Sequence, residues 1–166
     1  INAGQANSNP SFLVNVNGVL FFSASDGING SELWKSDGTT AGTELVKDIF
    51  VGNNGSAPLY LTAVNGTVFF TARNSSNDFE LWKSDGTNAG TVLVKDINPG
   101  PGRSFINDLF VFKNTLYFRA DDGVNGFELW KSDGTEAGTI LLKDINQGSV
   151  PSNPGNFNIF NDTLYF

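Results

Sequence analysis

The segment Glu32-Leu33-Trp34-Lys35-Ser36-Asp37-Gly38-Thr39 returns as Glu80 to Thr87 and again as Glu128 to Thr135, unchanged at every position. The spacing of 48 residues holds from copy to copy without an insertion, which marks stacked, geometrically equivalent modules. The 166 residues therefore divide into units at 2–49, 50–97 and 98–145 and a partial unit at 146–166, about three and a half copies.

Outward from the motif, each unit contains four short apolar runs. In the middle unit they are Leu59 to Val64, Thr67 to Ala72, Phe79 to Lys83 and Thr91 to Ile97. Each run is of strand length, rich in Val, Ile, Thr, Phe and Tyr, and bounded by Gly, Asn and Asp, so the chain reads as all-β. The first two strands are joined by Asn17-Gly18, Asn65-Gly66, Lys113-Asn114 and Asn161-Asp162. Asn-Gly supplies the positive φ angles of a two-residue hairpin. The third and fourth strands are joined by the turns beginning at Asp37, Asp85 and Asp133, whose carboxylates can bond nearby backbone N–H groups.

The first two strands lack clean in/out alternation, so both faces of each sheet should be covered. Four-stranded sheets of this size, each with a neighbour on either side, predict a β-propeller built of four-stranded antiparallel blades. A linear β-solenoid is the rival, but its coils have shorter periods and need no hairpin in each unit.

The string Glu-Leu-Trp-Lys-Ser-Asp-Gly-Thr, followed by Ala-Gly-Thr and Leu-(Val or Leu)-Lys-Asp-Ile, resembles the ELWxxDGT repeat of large bacterial surface and secreted proteins. The resemblance covers nearly the whole chain. It implies a bacterial, secreted or cell-surface, repeat-built propeller and says little about ligand. The blade plan is also similar to kelch, although kelch's paired glycines after the second strand are replaced here by Ser23-Ala24, Thr71-Ala72 and Arg119-Ala120.

Composition narrows the chemistry. The absence of Cys removes disulfides, Zn-thiolate sites and thiol nucleophiles, and the absence of His removes the commonest general base and metal ligand. A net charge of −7 disfavours nucleic acid and anionic membranes, so partners are expected to be neutral, cationic or metal-bearing. Aromatic residues make up 13 % of the chain, fifteen of them Phe, so the core should be aromatic. Ile1 falls in register with Ile49, Ile97 and Ile145, and Phe166 with Phe22, Phe70 and Phe118, so the chain begins and ends inside blades. The expectation is a window on a longer repeat protein, with further repeats of the parent chain or another copy needed to close the ring.

Glu32, Glu80 and Glu128 are candidates for acid/base chemistry, because paired carboxylates hydrolyse glycosidic bonds. Each recurs at the same place in every unit, whereas an active site is one asymmetric constellation. A structural role is expected instead, pairing with Lys or with backbone donors between blades. The same reasoning makes Trp34, Trp82 and Trp130 inter-blade packing residues, with each indole N–H bonded to a turn, rather than sugar platforms. The oxygen-rich loops at Asp26 to Gly30 and Asp121 to Gly126 suit Ca²⁺ in composition but lack the EF-hand pattern of acidic positions. No catalytic set, metal site or cofactor is expected.

Units differ mainly in the loops joining the second strand to the third and in the segments leading into the next blade. In an antiparallel meander these connections share one end, and function usually resides on variable loops held by a rigid scaffold. Tyr60, Arg73, Arg103, Phe105, Arg119 and Asp121 differ from their counterparts there and are the candidate ligand contacts. The expected function is a non-enzymatic binding or adhesion module for a protein or carbohydrate ligand. The alternatives are a structural spacer in a large surface protein and a sector of a propeller polysaccharide lyase or hydrolase.

Overall fold

Every apolar run becomes a strand. The computed structural model describes residues 1–2, 4, 7–74, 78–100 and 102–166, and contains no helix among them. No helix is therefore long and apolar enough to cross a membrane. Ser75, Ser76 and Asn77 of the middle variable loop lie outside the described residues.

The first sheet comprises β1 (Ser11–Val16), β2 (Val19–Ser25), β3 (Ser31–Ser36) and β4 (Glu44–Lys47). The second has β5 (Leu59–Val64), β6 (Thr67–Arg73), β7 (Phe79–Ser84) and β8 (Val92–Lys95), and the third β9 (Asn107–Phe112), β10 (Thr115–Asp121), β11 (Phe127–Ser132) and β12 (Ile140–Lys143). A hairpin of β13 (Asn158–Phe160) and β14 (Thr163–Tyr165) follows. All three large sheets are antiparallel meanders in chain order.

The hairpins have the dihedrals that their sequences demand. Asn17 and Gly18 sit at φ 52° and 88°, Asn65 and Gly66 at 48° and 78°, and even Lys113 and Asn114 are held at 47° and 61°. Positive φ at both central positions is the type I′ signature, whose twist matches the flanking strands.

Period-two alternation sends neighbouring residues of each second strand to opposite sheet faces. Phe21 and Leu33 pack forward against Val68, Phe70 and Trp82 of the next sheet. Phe69 and Leu81 pack forward against Leu116, Phe118 and Trp130 of the third. Phe70 and Phe118 are completely buried, each burial stabilising by roughly 1.5–3 kcal/mol. The unbroken apolar run in the sequence is thus two apolar faces read together. The first strands β1, β5 and β9 are the strands of successive sheets that approach most closely.

Polar residues of the motif fasten one sheet to the next. Lys35 Nζ donates to Gly86 O at 2.8 Å, Lys83 Nζ to Gly134 O at 2.7 Å and Lys47 Nζ to Thr91 O at 2.8 Å. The Phe21 ring lies against Gly86 so closely that a Cβ there would stand 3.0 Å from Phe21 Cζ, and Phe69 faces Gly134 in the same way at 2.9 Å. Trp82 and Trp130 pack between sheets as expected, whereas Trp34 packs against Phe22, Ala24, Leu20 and Leu45 of its own sheet, and the indole N–H groups of Trp34 and Trp82 are buried without an acceptor among the described residues. The turn carbonyls are taken by lysines, as Gly86 O is by Lys35.

Within each Asp turn the carboxylate turns inward. Asp85 Oδ1 accepts from Thr87 N at 2.8 Å and Thr87 Oγ1 at 2.7 Å, which lowers the Asp85 pKa. A Cβ on Gly90 would meet this carboxylate at 2.1 Å. Gly90→Ala must therefore expel Asp85 from its turn at a cost of about 1 kcal/mol, since these hydrogen bonds are exposed to solvent. Chemical denaturation is expected to show that Asp85→Ala costs a similar amount and that the double variant adds little to either.

One feature has no sequence signal. Each first strand is bulged, the register slipping between Ser11 and Val14 and between Leu59 and Thr62. The bulge residues Phe12, Tyr60 and Asp108 have φ 53°, 56° and 55°, and the linker residues Asn9, Ala57, Phe105 and Asn153 lie at 44°, 48°, 47° and 51°. Such values are uncommon for non-glycine residues and are outliers for bulky ones.

Candidate functional site

The three motif glutamates hold the linkers that connect successive sheets. Glu32, buried on β3, accepts from Ile49 N at 3.1 Å, Phe50 N at 3.2 Å, Ser56 N at 2.7 Å and the Ser56 hydroxyl. Glu128 does likewise with Ile145 N at 3.1 Å, Ser152 N at 3.0 Å and Ser152 Oγ at 2.6 Å. Their partners are backbone amides and serines rather than lysines, so each carboxylate clasps the chain as it enters the next sheet.

The middle clasp is looser. Glu80 accepts from Ile97 N at 2.8 Å, while Ser104 Oγ donates to Phe79 O at 2.8 Å instead of reaching Glu80 by hydrogen-bond geometry. Glu80 Oε1 and Asp78 Oδ1 are buried without a donor among the described residues. They border a cavity of about 50 Å³ with Asn74, Trp82, Leu93 and Asp96, large enough for a water molecule. Burial, aided by the charges of Asp78 and Asp96, pushes the Glu80 pKa up to about 7, and a proton there makes Oε1 a donor toward Asp78.

At the same junction a cleft of about 310 Å³ opens, lined by Leu59, Tyr60, Thr71, Phe79, Arg103, Phe105, Ile106 and Asn107. The neighbouring junctions show why it opens here. Between the first two sheets, Gly30 and Gly55 bring two backbones together; a Cβ on Gly30 would stand 2.5 Å from Gly55 N, and one on Gly55 2.4 Å from Ser31 N. At the third junction Gly126 lies against Ser149 and Pro151, its Cβ position 3.0 Å from Ser149 O. The middle unit has Asp78 where the others have Gly30 and Gly126, and Arg103 where they have Gly55 and Pro151. Side chains stand where the other junctions have backbone contact.

Of the six candidate residues, Tyr60, Arg103 and Phe105 line this cleft. Arg73 borders it, its guanidinium 5.8 Å from the Phe79 ring and 5.5 Å from Phe50, with Nε donating to Gly55 O at 3.0 Å. Arg119 Nε donates to Asn107 Oδ1 at 2.8 Å, and its guanidinium lies 5.4 Å from the Phe127 ring. Phe127 in turn packs against Phe105 with ring centroids 5.9 Å apart. Asp121 lies outside the cleft and accepts from Gly123 N at 2.7 Å, shaping its own loop. Sequence comparison missed Phe79 and Asn107, although Phe79 replaces Ser31 and Asn107 replaces Leu59 of the preceding unit. In the oxygen-rich loops Asp26 and Asp122 accept from backbone amides two and three residues on, and no group of three or more acidic side chains among the described residues is arranged to hold a metal ion.

No protein-family model matches the chain, and no curated protein matches it. Among solved structures it is similar to one titled a thermostable family-43 glycoside hydrolase, at 13% identity and a TM-score of 0.45. The match covers 86% of this chain and 53% of that one, so the chain spans about half of its length.

The Glu80 pKa exceeds its unfolded value, so the protonated carboxyl stabilises the fold fully below pH 4.5 and that contribution is lost as pH rises through about 7. A shift of this size corresponds to about 3 kcal/mol. The melting temperature is expected to fall between pH 5 and 8, and Glu80→Gln should remove most of that slope.

Phe105 is 51% exposed at φ 47°, a position filled by Asn9 and Asn153 in other units. Phe105→Asn relieves about 1 kcal/mol of backbone strain and loses about 1 kcal/mol of ring contact with Phe127. Thermal denaturation should register a change under about 5 °C despite the loss of an aromatic side chain.

Proposed function

We propose that the sheets are blades of a β-propeller and that the chain is a non-enzymatic binding module, secreted or on a bacterial cell surface. Its ligand, a protein or a glycan, occupies the cleft between the second and third blades. The ELWxxDGT resemblance supports the location. The close approach of β1, β5 and β9 supports the propeller, since blades converge at their innermost strands. Ring closure would use further repeats of the parent chain or another copy.

The observation that carries the binding reading is the open cleft at one junction of an otherwise repetitive scaffold. Tyr60 is 42% exposed and Phe105 51% exposed, so two aromatic side chains beside an arginine are presented to solvent. Small-ligand sites combine apolar walls with a few placed polar groups, and this lining does so. It contains no Asp or Glu, whereas glycoside hydrolysis requires a carboxylate pair.

A glycan and protein array is the test. Binding is expected for the native chain and should drop at least tenfold in Tyr60→Ala and Phe105→Ala while Lys113→Ala leaves it intact. If neither the native chain nor any variant binds a partner, the spacer is the correct reading, and turnover of a polysaccharide by the native chain would restore the enzyme.

A further inference from the structure

Resting on the cleft as the ligand site, we infer that its ligand is an acidic glycan whose uronate carboxylate is held by Arg103. The chain has three arginines against a net charge of −7; Arg103 lines the cleft, while Arg73 and Arg119 lie behind its wall against Phe79 and Asn107. Arg73 and Arg119 are committed to the protein. Arg73 donates to the carbonyls of Asn54 and Gly55, both at 3.0 Å, and Arg119 to Asn107, with Asp108 Oδ2 a further 3.7 Å from its guanidinium. Arg103 differs. Its guanidinium is set against the Phe79 ring at 5.6 Å and lines the cleft, yet its N–H groups have no acceptor among the described residues. The scaffold does not need it, since the equivalent positions are Gly55 and Pro151.

A guanidinium stacked on a ring, with its donors turned to a cleft, is preorganised for a planar carboxylate. No Asp or Glu lines the cleft to compete for it. The overall negative charge pointed to neutral or cationic partners. Charges beyond about 8 Å are screened at physiological salt, so the groups that line the cleft weigh most, and the charged side chain of that lining is Arg103.

The rest of the lining favours a sugar over an acidic peptide. Phe105 and Tyr60 provide exposed apolar surfaces for a pyranose face beside the guanidinium, and Asn107 and the Tyr60 hydroxyl supply polar groups. A peptide bound by strand addition would instead need a free strand edge to pair with. The edge strands bordering the cleft, β5 and β9, are bulged at this point, with Tyr60 and Asp108 at φ 56° and 55°. A bulge interrupts the ladder that an added strand would continue.

Titration calorimetry on the 166-residue chain tests the inference with tetramers of galacturonate, glucuronate and mannuronate, each beside its methyl ester, and with tetraglutamate. At least one free acid should bind ten or more times tighter than its ester. Arg103→Gln should bring the acid down to the level of the ester and leave the ester unchanged. Lys113→Gln, which removes a distant cation, should change neither. Equal affinity for acid and ester, both lost in Phe105→Ala, would overturn the carboxylate while upholding the cleft as a glycan site. Tighter binding of tetraglutamate than of every sugar would overturn the glycan, as would equal losses in the Arg103 and Lys113 variants. Absence of binding to all these probes overturns the inference, and the array then decides the cleft reading separately.

Discussion

A buried carboxylate that accepts backbone N–H donors holds each linker to the sheet it leaves. The packing of the next sheet depends on where that linker is placed. Glu32 and Glu128 meet this constraint with a serine and several amides each. A buried charge without such donors costs several kcal/mol, so the clasp cannot be given up without moving the chain. At Glu80 it is partly given up; burial raises this pKa to about 7, as it also raises that of Glu32, and a small polar cavity and the open cleft lie at the same junction. Repetition explains the scaffold, and one imperfect repeat creates the candidate site.

The eight-residue motif can be accounted for residue by residue. Glu clasps the linker, Leu and Trp fill opposite faces of the sheet, and Lys reaches the next turn. Ser36 Oγ pairs with Thr43 Oγ1 at 2.6 Å, and Asp37 bonds Thr39. Gly86 and its equivalents clear the way for a phenylalanine of the preceding sheet. Each task is local and recurs at each junction, which is why no residue has drifted.

Strand number, hairpin type and the covering of both faces were legible because each depends on a local rule. Asn65-Gly66 announces its dihedrals, and the run Val68-Phe69-Phe70 announces two buried faces. The bulge was not legible, since nothing about Phe12 or Tyr60 as residue types suggests positive φ. The missing acceptors of Trp34 and Trp82 were equally hidden, because they depend on where a neighbouring turn spends its carbonyls. Differences between units led to Tyr60, Arg103 and Phe105 but also to Asp121, which shapes only its own loop. Comparison finds positions free to vary, and only geometry shows which of them converge.

The contact of Phe21 with Gly86 and of Phe69 with Gly134 gives the stack a direction. Every sheet carries a ring on its forward side and a bare backbone to receive one on its rear side, so two forward sides would collide ring to ring and two rear sides would leave a void. Tyr117 occupies the ring position on the third sheet, and Gly38 the receiving position on the first. The sheets consequently stack with one polarity, like the threading of a screw, and only a forward side set against a rear side repeats the contact that the motif glycine makes possible.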